Sequence, residues 1–553
     1  MESKSLPHPK SRSKSKIKKG SKSSWESLER FLSDHQTALA IIFCLLFALF
    51  GFALFDVRIS IGGDDAAYIE RGFKLVHYGE ISFYQGPLYP AILGIGIALF
   101  GVNLIALKSM SFVFMLGQQV LLYFTFRKRI PFLVLFFVLF IIATNYFIQY
   151  YSSQTYTEGA FMFLQSLSLY FIFKLFDAET SESQWTENSK LWLINGFLLL
   201  LLSLCKSVAI VLFIPLIVFF LVQKKWRSAS KAFLAFLIWK IIYELAMRIF
   251  YQAPDIGQFK QILLKDLYNP TLGIETIPGL FERFFENSNT YLSMNLLRFL
   301  SIQDKLDTTA NAFITILVAV ALIASTVYLF RKNKYLFFLA LYSLILYAGI
   351  FFGIQASNRQ SRLIIIVLPL TYFLLFGSAY YLSRNNFRLG IAIISAIVLV
   401  SFIQIKNTLY YSNAHLPLLK KNLKGDMYFG YSPDWINYLK LSSWCGENLP
   451  NTSLVACRKA SMSFIYSKGM HFYEINQAIG FIDPDSMLIA LKHAGVTHIL
   501  IAKIRANPQV NNGEIINTIH RVFVPIFKKY PERLKFLLTF GKDEEASLYE
   551  IIY

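Results

Sequence analysis

Residues 191–222 read LWLINGFLLLLLSLCKSVAIVLFIPLIVFFLV, an apolar run broken by a single charge, Lys206. A helix that crosses a bilayer needs about 20 apolar residues, so the run is long for one span and short for two. That choice fixes the side of the membrane on which everything after it lies, and the basic clusters decide it. With the N-terminus inside and the run folded as a hairpin of two short helices, FRKR (126–129), KKWR (224–227), RKNK (331–334) and SRNNFR (383–388) all face the cytoplasm. This is where short loops place their excess of Lys and Arg. Read as one helix, the run would carry the clusters that follow it outside.

Working outward from the hairpin, apolar runs near 37–55, 103–126, 130–149, 159–176, 191–205, 208–222, 231–250, 311–330, 335–354, 363–382 and 387–405 predict about eleven transmembrane helices. Composition agrees, with 55% hydrophobic, 16% aromatic and only 16% charged residues, against about 25% charged in soluble domains. The formal charge of +20 would suggest a nucleic-acid partner in a soluble chain. Here the Lys and Arg sit in short segments between apolar runs, so the charge reads as membrane orientation and no nucleic acid is expected. Residues 1–36 open with a Ser/Lys tract and are expected to form a disordered, basic cytoplasmic tail. The tail is too long, and the FDVRIS after the first apolar run too polar, for a cleaved signal peptide.

An odd number of spans leaves residues 406–553 outside. Their short apolar blocks, separated by turn residues as in HAGVTHILIAKI, predict a small extracytoplasmic α/β domain. The membrane part would then be 37–405, with extracytoplasmic loops at 56–102 and 251–310 whose amphipathic pieces suit the membrane surface. Cys445 and Cys457 would have the redox setting to pair out there; two buried thiols are the alternative.

Several charges converge on that outer side. They are Asp64, Asp65, Glu70 and Arg71 in the first loop, Glu158 at the head of the fourth span, Lys206 at the hairpin tip, and Arg359 and Arg362 at the head of the tenth. A charge in or beside an apolar helix costs several kcal/mol unless it is paired or functional. Carboxylates can act as a general base, while Arg and Lys hold a phosphate and stabilise it as a leaving group. Together they suit transfer of a group from a lipid phosphate, with the apolar spans forming a groove for the lipid. Each residue also has a plain structural reading. One of Asp64 and Asp65 caps a helix after Gly62 and Gly63, Glu158 complements a helix dipole, Lys206 snorkels, and Arg362 anchors to membrane phosphates. His77, His415, His471, His493 and His498 lack metal-ligand spacing. No cofactor and no metal are expected, although an acid pair beside a phosphate leaves a divalent ion open. A transporter or flippase of lipid-linked sugars, or a non-catalytic scaffold of envelope assembly, are the alternative readings; the first would favour internal repeats and broken midplane helices.

In sequence order these residues resemble the GT-C superfamily of membrane glycosyltransferases, and within it the protein O-mannosyltransferase and aminoarabinose transferase branches. DDAAYIERGFKLVHYGEISFYQGPLYPAILGIGIALFG (64–101) is similar to the family's acidic pair, helix, Gly turn and Pro-rich entry to the next apolar segment. TYTEGAFMFLQSLSLYF (155–171) resembles its second-loop acid, LCKSVAIVLFIPL (204–216) its basic hairpin tip, and SRLIIIVLPLTYFLL (361–375) its Arg-Tyr-Leu-Leu-Pro run. In the last, Leu363 and Ile366 replace the usual Tyr and first Pro. The resemblance implies a cell-envelope enzyme of the cytoplasmic membrane that transfers a sugar, with inversion, from a polyprenyl-phosphate donor to a protein, lipid or glycan hydroxyl. It assigns Asp64 as base, Asp65 and Glu158 as acidic partners, and Arg362, with Arg359 or Lys206, as donor-phosphate ligands. Tyr68, Tyr84, Gln85 and Tyr89 are candidate substrate liners.

Overall fold

The computed structural model describes residues 20–82, 86–179, 184–251, 262–266, 272–302, 309–356, 359–385, 387–475, 483–506, 515–516 and 518–553. Every apolar run expected to span is helical. Seven helices among the described residues are long and apolar enough to cross a membrane alone: Gln36–Ala53, Leu104–Phe126, Thr157–Ala178, Ala312–Phe330, Lys334–Gly353, Ser361–Arg384 and Arg388–Leu423. The pair Phe132–Thr144 and Tyr146–Ser152, bent by 60°, makes an eighth if it is one span. Asn145 causes the break. It sits in extended backbone, its side chain accepts from Ile148 N to cap the second helix, and its amide donates to Phe299 O at 2.9 Å. The expected count of about eleven therefore includes helices that are short on length alone, Ser189–Cys205 and Ser207–Val222 among them.

The hairpin at 191–222 is present. Helix Ser189–Cys205 stops at Lys206, whose backbone is extended, and the chain re-enters through a 3-10 turn, Ser207–Leu212, into Phe213–Val222. The tip is held from outside by the first loop. A Cβ on Gly86 would lie 2.4 Å from Leu204 O, and Gly86 has φ +93, so this approach is open only to glycine.

Two expectations shift at the ends. Residues 20–34 of the tail expected to be disordered form the helix Gly20–Asp34, because Leu28, Phe31 and Leu32 recur at helical spacing; Leu32 is buried and Glu29 accepts from Tyr380 OH at 2.6 Å. The last apolar helix does not stop near 405 but runs from Phe387 to Leu423. In the loop 251–310, helix Ile277–Thr290 is capped by Thr276 and tied to the span Lys334–Gly353 through Asn287, which donates to Phe351 O and Ile354 O. Its opposite face exposes Ile277, Phe281 and Phe285.

Beyond 423 the expected α/β unit is a five-stranded mixed sheet in the order β2-β1-β3-β5-β4, with β1 Val455–Cys457, β2 Phe472–Glu474, β3 His498–Ala502, β4 Leu534–Phe540 and β5 Ala546–Ile551. Strand β1 runs parallel to β2 and β3, and β5 antiparallel to β3 and β4. Parallel neighbours need helical crossovers, here Ala460–Tyr466 and Pro484–His493. Cys445 and Cys457 are buried free thiols.

Candidate functional site

The site begins where the first span ends. Asp56 and Arg58 pair at 2.9 Å, and the Arg58 guanidinium lies over the Tyr431 ring. The chain then turns at Gly62 and Gly63; Gly63 N donates to Ser60 O at 2.9 Å, and its φ of +83 is in the left-handed region. Helix Asp64–Tyr78 starts directly after this turn, with both acids in its first turn, where the helix dipole favours them.

The two carboxylates part company there. Asp65 is fully buried and accepts from Ser60 N and Ser60 Oγ, each at 2.8 Å, and from Ala66 N at 3.0 Å. Lys108, also wholly buried, stands 3.8 Å away and donates to Gln154 at 3.0 Å. Tyr156 OH reaches Ser60 Oγ at 2.6 Å, so this knot ties the turn to the fourth span. Burial pushes the Asp65 carboxyl above the usual carboxylate range. That is where the structure places the residue expected as the acidic partner of Asp64. It does not line the cavity described next, and its lone pairs are spent holding the turn.

Asp64 faces the other way. Its carboxylate pairs with Arg362 Nη2 from the head of the tenth span. The Arg362 guanidinium also stacks on the Tyr156 ring, 4.2 Å from its centroid, and its Nε is buried with no hydrogen-bond partner among the described residues. Beside this pair, Lys206 Nζ donates to Glu158 Oε1 at 2.8 Å. Asp64, Arg71, Glu158, Lys206 and Arg362 form the polar end of a cavity of about 450 Å³. The remaining wall is mostly apolar, built from the 3-10 turn after Lys206, the C-terminal end of the span Lys334–Gly353, and Ile262. Two acids and three bases thus share one end of a cavity whose other end suits hydrocarbon.

The other expected residues divide. Tyr68 lines the cavity and packs edge-on against Tyr89. Tyr89 itself is fully buried, its hydroxyl 3.0 Å from Ser111 Oγ, so it supports Tyr68 and is not a liner. Arg359 is turned toward the loop helix, donating from Nε to Asn287 and pairing with Glu286, and it too is off the cavity wall. Tyr84 and Gln85 lie outside the described residues. Among the described residues no three His, Cys, Asp or Glu side chains gather as metal ligands do.

Three participants escaped the sequence reading: Lys108, Tyr156 and Lys459. A lysine inside LIALKSMSFVF is conspicuous in an apolar span and was a usable signal for Lys108. Lys459 comes from the sheet unit, just after β1. Its ammonium donates to Gly62 O at 2.9 Å, and the neighbouring Ser461 Oγ donates to Glu70 at 2.6 Å.

Fold and site together describe a multi-pass membrane protein with a cavity lined by both charged and apolar side chains. Residues 84–251 match the family model of dolichyl-phosphate-mannose-protein mannosyltransferases. The fold is shared with the ArnT of Cupriavidus metallidurans in its crystal structure with undecaprenyl phosphate, at 11% identity, TM-score 0.55, and coverage of 93% of this chain and 98% of that one. It is also shared with the Archaeoglobus fulgidus oligosaccharyltransferase tethered to an acceptor peptide, at 12% identity, TM-score 0.50, and coverage of 94% and 74% respectively. No curated protein matches the chain by sequence. The chain therefore has the fold of these two proteins over nearly its whole length, and residues 84–251 carry the likeness to the mannosyltransferase family model.

Proposed function

We propose that this enzyme moves a sugar from a polyprenyl-phosphate donor to an acceptor hydroxyl at the extracytoplasmic face of the cytoplasmic membrane. The observation that carries the reading is the meeting of Asp64 with Arg362 at the charged end of an otherwise apolar cavity. A polyprenyl-phosphate sugar has the same division, with a charged phosphodiester between the sugar and a hydrocarbon tail. Arg362, with its unpartnered Nε, and Lys206 bind the phosphate, while the apolar wall takes the first isoprene units. The acceptor hydroxyl gives its proton to Asp64 as its oxygen attacks the anomeric carbon. The bond from that carbon to the phosphate oxygen breaks on the opposite side, which inverts the configuration. The electron pair leaves on the polyprenyl phosphate, and its growing charge is offset by Arg362 and Lys206. Glu158 holds Lys206 in place and orients the acceptor. These bases supply the charge that a metal would otherwise provide, so transfer is expected to continue in the presence of a chelator. The ligands of the two structural neighbours, undecaprenyl phosphate and an acceptor peptide, support the same division of the site.

A deletion strain complemented with wild type or Asp64→Asn tests this reading. Mass spectrometry of envelope glycolipids and glycoproteins should find a sugar restored by the wild type and absent with the variant. The purified variant should still bind undecaprenyl phosphate. A profile that deletion leaves unchanged, or that Asp64→Asn fully restores, would overturn it.

A further inference from the structure

We infer that Lys459 is a positioning residue for Asp64: carried on the C-terminal sheet unit, its ammonium grips the Gly62 carbonyl and fixes the turn that presents the Asp64 carboxylate to the cavity. The inference rests on the transfer reading above and adds to it a part for a unit that otherwise contributes nothing to the cavity wall.

The turn needs an outside clamp. Gly62 and Gly63 have no side chains with which to hold themselves, and paired glycines sample more backbone conformations than any other dipeptide. Asp65 and Ser60 secure the near side of the turn from within the first loop. Lys459 secures the far side, its Nζ 2.9 Å from Gly62 O and 3.7 Å from where a Cβ on Gly63 would stand. The lysine is itself held firmly. Its backbone N–H donates to Tyr438 OH at 3.1 Å, and its carbonyl accepts from Ser463 N as helix Ala460–Tyr466 begins. A second tie, Ser461 to Glu70, fixes the same helix to Asp64–Tyr78 one face further along.

Charge supports the assignment. Burial pushes the Lys459 amine down to about 8, with Arg458 acting in the same direction and Glu474, Asp64 and Asp65 opposing it. An ammonium kept in such a place costs stability that a solvated lysine would not. What the placement returns is a donor fixed on the Gly62 carbonyl, in the turn from which the Asp64 helix starts.

The test compares Lys459→Met, which loses donor and charge, with Lys459→Arg, which keeps both. In the full-length protein, opening of the Gly62–Gly63 turn is followed by amide hydrogen exchange with peptide mass spectrometry, which needs no substrate. Transfer is measured in vesicles with polyprenyl-phosphate sugars extracted from the source membranes, and undecaprenyl phosphate serves as the binding probe. Lys459→Met should speed exchange in the peptide that carries the Gly62–Gly63 turn and lower kcat about tenfold or more. Its affinity for undecaprenyl phosphate should stay within about twofold of wild type, and Lys459→Arg should restore both protection and rate. Unchanged exchange with an unchanged kcat in Lys459→Met overturns the inference, as does equal loss in both variants together with loss of undecaprenyl phosphate binding. Faster exchange in a protein whose wild type transfers no sugar supports the clamp and sinks the transfer reading instead.

Discussion

Asp64 and Asp65 are neighbours in sequence with opposite environments, and their substitutions should separate accordingly. Under the proposed mechanism Asp64→Asn removes the general base, a loss of about 10²–10⁴ in turnover, with thermal stability in detergent near that of wild type. Asp65→Ala leaves Lys108 as an unpaired buried charge and strips Ser60 N of its acceptor. Breaking a buried pair in this way costs about 3–5 kcal/mol, visible as a lower unfolding temperature. Lys459 makes the reverse prediction. Its folded-state amine is depressed to about 8 from an ordinary 10.5. Between those values the unfolded chain binds more protons than the native one, so native stability rises with pH across that window. Lys459→Met should therefore unfold at or above the wild-type temperature at pH 7, with the advantage shrinking as the pH passes from about 8 toward 10. Much of this site was legible in the sequence, because Asp64, Glu158, Lys206 and Arg362 are charges set in apolar surroundings, where a charge needs a reason. The fate of Asp65 was not legible, because it depends on Ser60 and Lys108 closing around it. Lys459 was not legible either, since it lies in RKASMSF, a stretch whose charges look like those of any soluble surface.

At the scale of elements, the hairpin Ser189–Val222 puts Lys206 in reach of Glu158 by breaking at an extended residue instead of running through the membrane. The first loop fixes that break through Gly86. Gly86→Val would force a side chain into Leu204 O from a backbone conformation that valine avoids. Transfer should fall by about 10² or more, since Lys206 moves with the tip, and the purified variant should bind undecaprenyl phosphate more weakly. Wild-type binding and turnover in Gly86→Val would show that the tip holds without the loop. The hairpin itself could be read from charge parity alone, whereas the lengths of its neighbours could not. The last helix runs on to Leu423 because Leu409, Leu416 and Leu419 extend its apolar pattern at helical spacing past the point where hydropathy falls; Leu419 is buried.

For the whole molecule, orientation is the open expectation that charge makes most directly. Alkaline phosphatase fused after Tyr553 should be active, and fused within 127–129, 224–227 or 331–334 it should be inactive, as the distribution of Lys and Arg demands. An active fusion at 224–227 would mean that 191–222 spans once and that the outer cluster of charges was drawn on the wrong side. The sheet unit then stands beside the charged end of the cavity, bridged to the first loop by Lys459 and Ser461.

The buried pairing of Lys108 with Asp65 bears on how the chain is made. A lysine within an apolar segment resists leaving the insertion machinery for lipid, and its partner carboxylate lies upstream, already synthesised when Lys108 emerges. Insertion assays on nascent chains ending near residue 130 should find that Leu104–Phe126 enters the bilayer less readily with Asp65→Ala, and that Lys108→Leu abolishes the dependence. Asp64, by contrast, waits for Arg362, 298 residues later. The first loop would thus be moored early in biogenesis, and the two groups on which the proposed transfer depends would meet only after the tenth span has been delivered, leaving a half-made chain with a folded anchor and no complete site.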